Sequence, residues 1–368
     1  MSQSYAVIGA GNGGYAMAGE LALLGRDIVL FDFPAFEDRL SPLRKAGGVR
    51  VDSRIDHFPG GRGEHFAPLS QITTDISGIA SADVVIVVVP GQHHEKVIAA
   101  ALPHLRDGQL VLLNPGGVGG CLVWASALQK AGRSGVLLAQ PADLLYAGYR
   151  TNDGRVIVAD KKKQAVLGVF PNCDRARVLS HLEDFPEFSP GTNVLEAGMG
   201  GPGMLVHPLP MIMNAVRIDR DAPFKYDAYD ITRSVANAID GLDRERTAII
   251  EALGGRPVPI KDVLTAYYGV SGADFYETVR KVQAYLSATA PADFKHRYIA
   301  EEVPTQIVPT AGIGRALGLE TRMLDSVTAL AGAINGEDYE RSGWTVERLG
   351  IAGLSRDALL DFLDTGWR

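Results

Sequence analysis

Three glycines near the start of the chain constrain its fold more than any other feature. Gly9, Gly11 and Gly14 form a G-x-G-x-x-G pattern between an apolar run at 5–8 and a segment at 15–24 with apolar residues at helical spacing. This order of strand, glycine turn and helix is typical of a unit that binds a dinucleotide, because the turn lets phosphates approach the helix amino terminus. A tight turn without a ligand is the alternative, but the flanking strand and helix favour the cofactor site.

An acidic residue follows where such a unit holds the ribose of its cofactor. Asp32 comes 18 residues after Gly14 and directly after an apolar run at 28–31, which predicts the second strand. A carboxylate there accepts hydrogen bonds from the ribose hydroxyls and repels a 2′-phosphate. Because residues 33–35 contain no basic side chain, the sequence predicts NAD as the cofactor rather than NADP.

The rest of the amino-terminal half alternates between apolar runs and helix-compatible segments. Continuous apolar runs at 84–89, 110–113 and 136–138 are typical of strands that are buried on both faces of a sheet. We therefore predict an α/β domain with a doubly wound parallel sheet. Two further runs, at 156–159 and 165–170, flank three consecutive lysines. They predict a closing hairpin whose turn exposes the lysines to solvent.

The carboxyl-terminal half has a different pattern. It shows long helical stretches at 243–253, 274–286 and 323–333, separated by turns that contain glycine or proline. Ser271 and Ser355 are candidate helix starts. Because no second run of alternating strands is evident, this half is predicted to be mainly helical.

Length, charge and cysteine content narrow the class of protein. A chain of 368 residues suits two domains, which we predict as a nucleotide-binding domain at 1–188 and a helical domain at 189–368. A formal charge of −7 offers no general attraction for nucleic acid. The most apolar run, at 84–89, is about a third of the roughly 20 residues needed to cross a membrane. Two cysteines are too few for a disulfide framework, which fits a cytoplasmic protein.

Two loops follow predicted strands at the edge where open α/β sheets bind ligands. The first begins at Pro90, and the second runs from Asn114 through Gly116 and Gly117 to Gly120. Four of the five residues at the end of the second loop are glycines, which exceeds what one turn requires. The second loop is therefore predicted to contact the cofactor or the substrate, with plain turn chemistry as the alternative.

Neighbouring histidines after the first loop do not indicate a metal site. In a helix His93 and His94 would point about 100° apart and would not bind one ion. The sequence also has no CxxC motif or Cys/His cluster. We interpret the two histidines as solvated or helix-capping residues and predict no metal.

Two polar clusters stand out in the helical half. The stretch at 206–217 carries His207, with Asn214 and Arg217 near the same side if it is helical. A histidine that caps a core helix is the ordinary alternative. The second cluster, at 297–304, places charged residues around a short apolar pair before a proline.

With these motifs the chain resembles the opine dehydrogenases, the octopine/nopaline dehydrogenase family. The resemblance covers nearly the whole chain and rests on six motifs: GxGNGG at 9–14, VVP at 88–90, NPGxxGG at 114–120, HPLPxxxNAxR at 207–217, RYxxExV at 297–303 and LGxxGLS at 349–355. It implies a Rossmann domain, a helical domain similar to that of 6-phosphogluconate dehydrogenase, and an active site between them. It also implies an NAD(P)-dependent enzyme that joins an amino acid to a 2-oxo acid by reduction, and a possible homodimer.

The resemblance implies roles for individual residues. His207 matches the family's catalytic histidine, and Glu302 falls where the family has an aspartate, so the longer carboxylate would orient and polarise the imidazole. Arg297 matches the family's arginine and is a candidate to contact the cofactor phosphate or a substrate carboxylate when the domains close. Together with the motifs above, the predicted cofactor residues are Gly9, Gly11, Asn12, Gly14, Asp32, Pro90, Asn114 and Arg297. The predicted substrate residues are Gly116, Gly117, Asn214, Arg217 and Thr232.

Three positions depart from the family's pattern on the predicted substrate side. Gln140 stands where relatives usually have an acidic residue, and Tyr229 and Asp230 replace a Glu-Gly pair. The identities of the amino acid and the 2-oxo acid are therefore left open. Two other functions also stay open: an NAD-dependent 2- or 3-hydroxy acid dehydrogenase on the same fold, and a non-catalytic NAD(H)-binding sensor.

Overall fold

The computed structural model describes residues 3–220, 231–286 and 291–367. Its strands are β1 (Ser4–Ile8), β2 (Asp27–Phe31), β3 (Gly48–Ser53), β4 (Gly63–Pro68), β5 (Gln71–Thr73), β6 (Val84–Val87), β7 (Leu110–Leu113), β8 (Leu137–Pro141), β9 (Tyr146–Arg150), β10 (Arg155–Lys161), β11 (Ala165–Phe170) and β12 (Phe188–Pro190). The helices of the same half are α1 (Asn12–Leu23), α2 (Glu37–Ala46), α3 (His94–Ala101), α4 (Gly120–Lys130) and α5 (Arg175–Leu179).

Helices form the rest of the described chain. They are α6 (Val194–Gly200), α7 (Gly203–Val206), α8 (Pro208–Met213), α9 (Ala215–Asp219), α10 (Arg233–Ala252), α11 (Ile260–Tyr268), α12 (Phe275–Val279), α13 (Gln283–Leu286), α14 (Arg297–Ala300), α15 (Val308–Ala316), α16 (Arg322–Asn335), α17 (Tyr339–Ser342) and α18 (Arg356–Thr365). A π-helical turn at Val303–Ile307 lies between α14 and α15.

The main sheet has eight strands in the order β12-β11-β8-β7-β6-β1-β2-β5. Strand β1 pairs in parallel with β2 on one side and with β6 on the other, so the strand order reverses there, as in a doubly wound sheet. Strands β6 and β7 are buried along their whole length, which explains their continuous apolar sequences. The predicted doubly wound sheet is confirmed, with β11 antiparallel to its neighbour β8.

A second sheet, with four strands in the order β4-β3-β10-β9, is not predicted from the sequence. The predicted hairpin between 156–159 and 165–170 is wrong, because β10 pairs with β3 and β9 whereas β11 joins the main sheet. The predicted solvated lysine turn is wrong as well. Lys161 and Lys162 are buried, and Lys163 is exposed.

The carboxyl-terminal half is helical, as predicted. Helix α10 covers the helix predicted at 243–253 and begins earlier along the chain. The stretch at 274–286 forms two short helices, α12 and α13, and Asp274 rather than Ser271 caps the first. Ser355 caps α18, as expected. Among the described helices, none combines the length and the apolar character that spanning a membrane requires.

One continuous apolar core joins the two halves of the molecule. It contains Val111 and Trp124 from the sheet half together with Ile250 and Trp344 from the helical half. His94 is fully buried, and its ring centre lies 5.7 Å from that of Trp344 and 6.4 Å from that of Trp124. The interpretation of His94 as a solvated or capping residue is therefore wrong, because α3 packs it into the contact between the halves.

Candidate active site

The glycine turn lies between β1 and α1, at the carboxyl end of the parallel strands. Gly9 has a φ of +108°, and a Cβ on it would lie 2.5 Å from the carbonyl oxygen of Val88. A Cβ on Gly14 would lie 1.7 Å from the carbonyl oxygen of Gly9, so α1 packs on the turn only because position 14 is glycine. At Gly11 nothing in the described chain lies within 4 Å of a Cβ. The outer face of the turn is therefore open to a ligand.

The amino terminus of α1 suits a phosphate group. Gly11 precedes the helix and has no side chain to cap it, so the first N–H groups of the helix are available to an anion. The side chain of Asn12 is used elsewhere: its Oδ1 accepts a hydrogen bond from the backbone N–H of Arg150 in β9 at 3.0 Å. Asn12 therefore ties the second sheet to the turn, and its backbone N–H is the group placed to meet a cofactor.

Asp32 lies directly after β2 and is 3% exposed. Its carboxylate accepts hydrogen bonds from the backbone N–H groups of Ala10 at 2.9 Å and Phe33 at 2.8 Å. Burial raises its pKa, an effect that these hydrogen bonds and the charge of Arg39 partly offset. Arg39 Nη1 lies 3.7 Å from Asp32 Oδ2. This cation is not predicted from the sequence, because it lies beyond the segment that directly follows the acid, in the first turn of α2.

The loops after β6 and β7 border the same edge of the sheet. Pro90 precedes a 3₁₀ turn at Gly91–His93, and the N–H of Gly91 donates to Glu301 of the helical half at 3.3 Å. Asn114 is fully buried, and neither polar atom of its side-chain amide has a hydrogen-bond partner among the described residues. Because a buried polar group without a partner is costly, Asn114 indicates a ligand that supplies the missing hydrogen bonds.

Gln140 packs against the glycine loop after β7 and holds it with two hydrogen bonds. Its Nε2 donates to the carbonyl oxygen of Gly117 at 2.7 Å, and its Oε1 accepts from the N–H of Cys121 at 3.0 Å. A Cβ on Gly116 would lie 2.4 Å from Gln140 Oε1, so the loop packs directly on this side chain. The expectation that Gln140 lines the substrate side is wrong, because the side chain is fully buried under the loop.

His207 and Glu302 meet in a cleft between the two halves. His207 precedes α8, Glu302 precedes the π-helical turn, and His207 Nδ1 lies 3.1 Å from Glu302 Oε1. The ring of Tyr298 stacks on that of His207 at 3.7 Å, with 5° between the ring planes. A Cβ on Gly203 would lie 3.0 Å from both carboxylate oxygens of Glu302, so glycine at this position makes room for the longer acid.

Burial controls the protonation of this pair. It lowers the pKa of His207 to about 3, and the charge of Arg297 acts in the same direction. It raises the pKa of Glu302 to about 7, although here Arg297 acts in the opposite direction. The negative charge of Asp143 raises both pKa values. Because the two groups are hydrogen-bonded, they titrate as a coupled pair, and burial favours states with little charge on either group.

The cleft around the pair encloses about 870 Å³, including space open to solvent. Its lining includes Pro115, Gly117, Asp143, Leu144 and Lys162 from the sheet half, and Gly203, His207, Tyr268, Arg297, Tyr298, Glu302 and Gln306 from the helical half. The side chain of Arg297 is 48% exposed, and its Nε lies 2.8 Å from Glu301 Oε2. Because Glu301 also accepts from Gly91, Arg297 is connected to the loop after β6.

Lys162 and Asp143 form a second charged pair in the cleft, which is not predicted from the sequence. Lys162 Nζ lies 3.4 Å from Asp143 Oδ2 and donates to the carbonyl oxygen of Leu144. Burial is the largest influence and lowers the pKa of Lys162, but Asp143, Tyr268 and Asp160 together outweigh burial and leave that pKa raised. The run of three lysines conceals the signal, because the buried Lys162 and the exposed Lys163 are the same residue type.

Four predicted substrate residues do not line the cleft in the part of the chain that the structure describes: Gly116, which packs on Gln140, and Asn214, Arg217 and Thr232. Asn214 ends α8 and donates from Nδ2 to a carbonyl oxygen of the same helix at 2.9 Å. Arg217 belongs to the short helix α9, and the side chain of Thr232 caps α10. The break at Asn214 interrupts the continuous helix on which a shared face was predicted. Tyr229 and Asp230 lie outside the described residues.

Comparison with known proteins places the chain in a family. A family described as NAD/NADP octopine/nopaline dehydrogenase, alpha-helical domain, matches residues 190–335. The opine dehydrogenase of Arthrobacter sp. (strain 1C) is 32% identical over 356 residues, which are 96% of this chain and 97% of that enzyme. The chain belongs to the opine dehydrogenase family.

Solved structures show that this opine dehydrogenase family member shares a known fold. Octopine dehydrogenase, in complexes named for NADH with L-arginine and NADH with pyruvate, matches with a TM-score of 0.77 at 20% identity, over 98% of both chains. Yersinopine dehydrogenase with bound NADP+ matches with a TM-score of 0.72 at 14% identity, over 100% of this chain and 99% of the other. All combine a Rossmann-like half with a helical half.

Family membership also sets the class of reaction. The protein is an opine dehydrogenase-like oxidoreductase that acts on CH–NH bonds, and the chemistry of the class is the reductive condensation of an amine with a 2-oxo acid. Glu302 stands at the position where the resemblance to the opine dehydrogenases implies an aspartate. The structure accommodates the extra methylene at Gly203.

Proposed function

We propose that this protein condenses the amine of an amino acid with a 2-oxo acid and reduces the product, with NADH, to a secondary-amine dicarboxylate. The observation that carries the proposal is the hydrogen-bonded His207–Glu302 pair in the same cleft as the cations Arg297 and Lys162. Two substrates with carboxylates need cations to hold them, and bond formation at nitrogen needs a group that exchanges protons. The residues of the cleft can meet both needs.

The proposed cofactor is NAD. The open face at Gly11, the uncapped amino terminus of α1 and the unsatisfied amide of Asn114 fit a dinucleotide across the ends of β1, β6 and β7. Asp32 adds a negative charge next to the turn, which disfavours a 2′-phosphate. When bound, the nicotinamide supplies the hydride for the reduction.

His207 is proposed as the general acid and base. Its Nδ1 is hydrogen-bonded to Glu302, so the ring exchanges protons through Nε2. It takes a proton from the attacking amine and returns one to the carbinolamine oxygen, which leaves as water. Stacking on Tyr298 holds the plane of the ring during both transfers. Glu302 selects the tautomer with the proton on Nδ1 and stabilises charge on the ring while the proton moves.

Arg297 is proposed to bind the carboxylate of the 2-oxo acid. It lines the cleft together with His207, and a guanidinium offers a carboxylate two parallel hydrogen bonds. Its connection through Glu301 to Gly91 also supports the predicted contribution to the cofactor site. The N–H groups of the loop that contains Gly117 are further donors for the same carboxylate.

Domain organisation and cellular setting are also proposals. The predicted domains at 1–188 and 189–368 are supported by the match of residues 190–335 to a helical-domain family. A cytoplasmic setting is supported by Cys121 and Cys173, which form no disulfide in the described structure. A homodimer is proposed from the family resemblance alone, and light scattering on the purified protein tests it.

An NADH-oxidation assay that crosses amino acids with 2-oxo acids, and omits each component in turn, tests the proposed reaction. We expect oxidation only when both substrates are present, with a secondary amine detected as the product by mass spectrometry. Oxidation that proceeds without an amino acid would identify a hydroxy acid dehydrogenase instead. NADH binding without turnover of any pair would identify a sensor.

A further inference from the structure

The cleft contains a charged pair whose cation, Lys162, the proposed function does not yet assign to either substrate. Lys162 Nζ and Asp143 Oδ2 lie 3.4 Å apart, and both residues line the cleft together with His207. The side chain of Asp143 is 26% exposed there and that of Lys162 is 8% exposed. The anion is therefore the more accessible member, and the cation is partly covered by its surroundings.

Comparison with the preceding lysine argues against a purely structural role. Lys161 Nζ lies 2.7 Å from Glu20 and 2.5 Å from Glu187, so two buried carboxylates surround it. Lys162 has one carboxylate partner at a longer distance and one carbonyl acceptor, that of Leu144, and its Nζ lies 5.4 Å from the centre of the Tyr267 ring. Because an ammonium group has three N–H donors, Lys162 retains capacity for another anion on the cleft side.

The pair acts on the same space as the proton-transfer residues. The charge of Asp143 raises the pKa values of both His207 and Glu302, and the charge of Lys162 lowers that of His207. Lys162, Asp143 and His207 also line one cleft. A ligand that contacts Lys162 and Asp143 therefore occupies the same space that the His207 ring borders.

We propose that Lys162 and Asp143 form the subsite for the zwitterionic amino acid substrate. An α-amino acid carries a carboxylate and an ammonium group on the same carbon, and Lys162 and Asp143 offer each of these groups a neighbouring opposite charge. Lys162 donates to the α-carboxylate, and Asp143 accepts from the α-ammonium group and holds the nitrogen near His207. The proposal rests on the proposed function, since it takes an amino acid as one substrate.

In this assignment, the charges of each substrate determine the subsite to which it binds. A 2-oxo acid has a carboxylate but no ammonium group, so it gains nothing from Asp143 and binds at Arg297. An amino acid satisfies both members of the Lys162–Asp143 pair, which open their ion pair to receive it. The enzyme therefore distinguishes its substrates by an anion placed beside a cation, in addition to the shape of the cleft.

Steady-state kinetics of Lys162→Met tests the subsite. A lost hydrogen bond to a charged group raises KM for the amino acid roughly 10- to 100-fold, while KM for the 2-oxo acid is expected to stay within about threefold. Lys163→Met is the matched control, because Lys163 is exposed in the same loop, and no change is expected there. Asp143→Asn removes the negative charge of the same subsite. It provides a second test of KM for the amino acid if Lys162→Met does not fold.

A substrate analogue gives the decisive readout. The amide of the amino acid keeps the ammonium group but loses the carboxylate charge, so the wild-type enzyme is expected to bind it roughly 10- to 100-fold more weakly than the acid. In Lys162→Met the ratio of the two KM values is expected to fall toward one. An unchanged ratio, or a KM effect on the 2-oxo acid instead, would overturn the assignment. Failure of the proposed function appears separately, as a wild-type enzyme that forms no secondary amine.

Discussion

The two ends of the cleft are built on opposite principles. The cofactor end depends on the absence of side chains, since Gly9, Gly11 and Gly14 bring backbone close to backbone and leave one face open. The substrate end depends on titratable side chains that distant segments bring together, such as the partly exposed His207 and the buried Glu302. A site made from backbone can be predicted from a short motif, whereas a site made from side chains of distant segments exists only once the fold has formed.

Removal of the imidazole at the substrate end is expected to have the largest effect. In His207→Asn the proton exchange is lost, so kcat falls by roughly 10²- to 10⁴-fold. The Kd for NADH, measured by fluorescence titration, is expected to stay unchanged because the cofactor end is intact. A kcat within about tenfold of the wild type would show that another group moves the proton.

His94, which is buried at the contact between the two halves, is expected to reduce the stability of the protein in acid. Burial lowers the pKa of His94 to about 4, from an ordinary value of 6.5. Above pH 6.5 both folded and unfolded chains are neutral at this position, and between pH 6.5 and 4 the unfolded chain alone takes up the proton. The free energy of unfolding therefore falls by about 3 kcal/mol across this window from this group.

Urea denaturation of the wild type and of His94→Leu at several pH values checks this effect. Leucine takes up no proton, so the difference in stability between the two proteins is expected to shift in favour of the variant as the pH falls from 6.5 to 4. A constant difference would mean that His94 has the same pKa in the folded and the unfolded protein.

Two alanine substitutions in the glycine turn separate packing from ligand access. In Gly14→Ala the new Cβ meets the carbonyl oxygen of Gly9, so α1 must shift, and the free energy of unfolding falls by about 2 kcal/mol. In Gly11→Ala the Cβ enters open space, so stability is retained while NADH binds more weakly. Thermal denaturation and NADH titration measure the two quantities. Equal losses of stability in both variants would contradict the distinction.

A double-mutant cycle tests whether glycine at position 203 provides the space that the Glu302 side chain needs. Glu302→Asp draws the carboxylate away from His207, and Gly203→Ala crowds it, so each change is expected to lower kcat by about tenfold. In the double variant the methyl group occupies space that the shorter acid vacates. Its kcat is therefore expected to exceed the product of the two single effects. Effects that simply multiply would show that positions 203 and 302 act independently.

The smallest effect is expected at Arg39, which partly neutralises Asp32 at the cofactor end. In Arg39→Gln the acid repels a 2′-phosphate more strongly, so the preference for NADH over NADPH is expected to rise roughly two- to fivefold, in proportion to a partly exposed ion pair. The ratio of kcat/KM with NADH to kcat/KM with NADPH measures this preference. A ratio that moves the other way would show that Arg39 does not contact the 2′ position.

The elements that the sequence predicts well are those whose signals are local. The strand, glycine turn and helix around Gly9 need only neighbouring residues, and the helix cap at Ser355 depends on an N–H three residues away. His207 and Glu302 were accessible through their motifs, although 95 residues separate them. The family pattern supplied the pairing that spacing alone does not contain.

The errors arose where tertiary contacts decide between equivalent local patterns. The runs at β10 and β11 are both good strands, but their partners at β3 and β8 lie far along the chain, so adjacency in sequence suggested a hairpin that does not form. Burial of Lys162 depends in the same way on Asp143, in a loop that precedes the intervening strands. The family pattern indicates a substrate-side position for Gln140, whereas the side chain lies in β8 and a glycine loop covers it.

Trp344 is an intrinsic fluorophore at the contact between the two halves. Its indole belongs to the helical half, yet its ring centre lies 5.7 Å from that of His94, and its ring would lie 3.2 Å from a Cβ on Gly117 in the cleft. A displacement of the glycine loop, or a rotation of one half against the other, changes the surroundings of this fluorophore. A titration of tryptophan emission with substrate therefore tests, without a label and without turnover, whether binding causes such a movement.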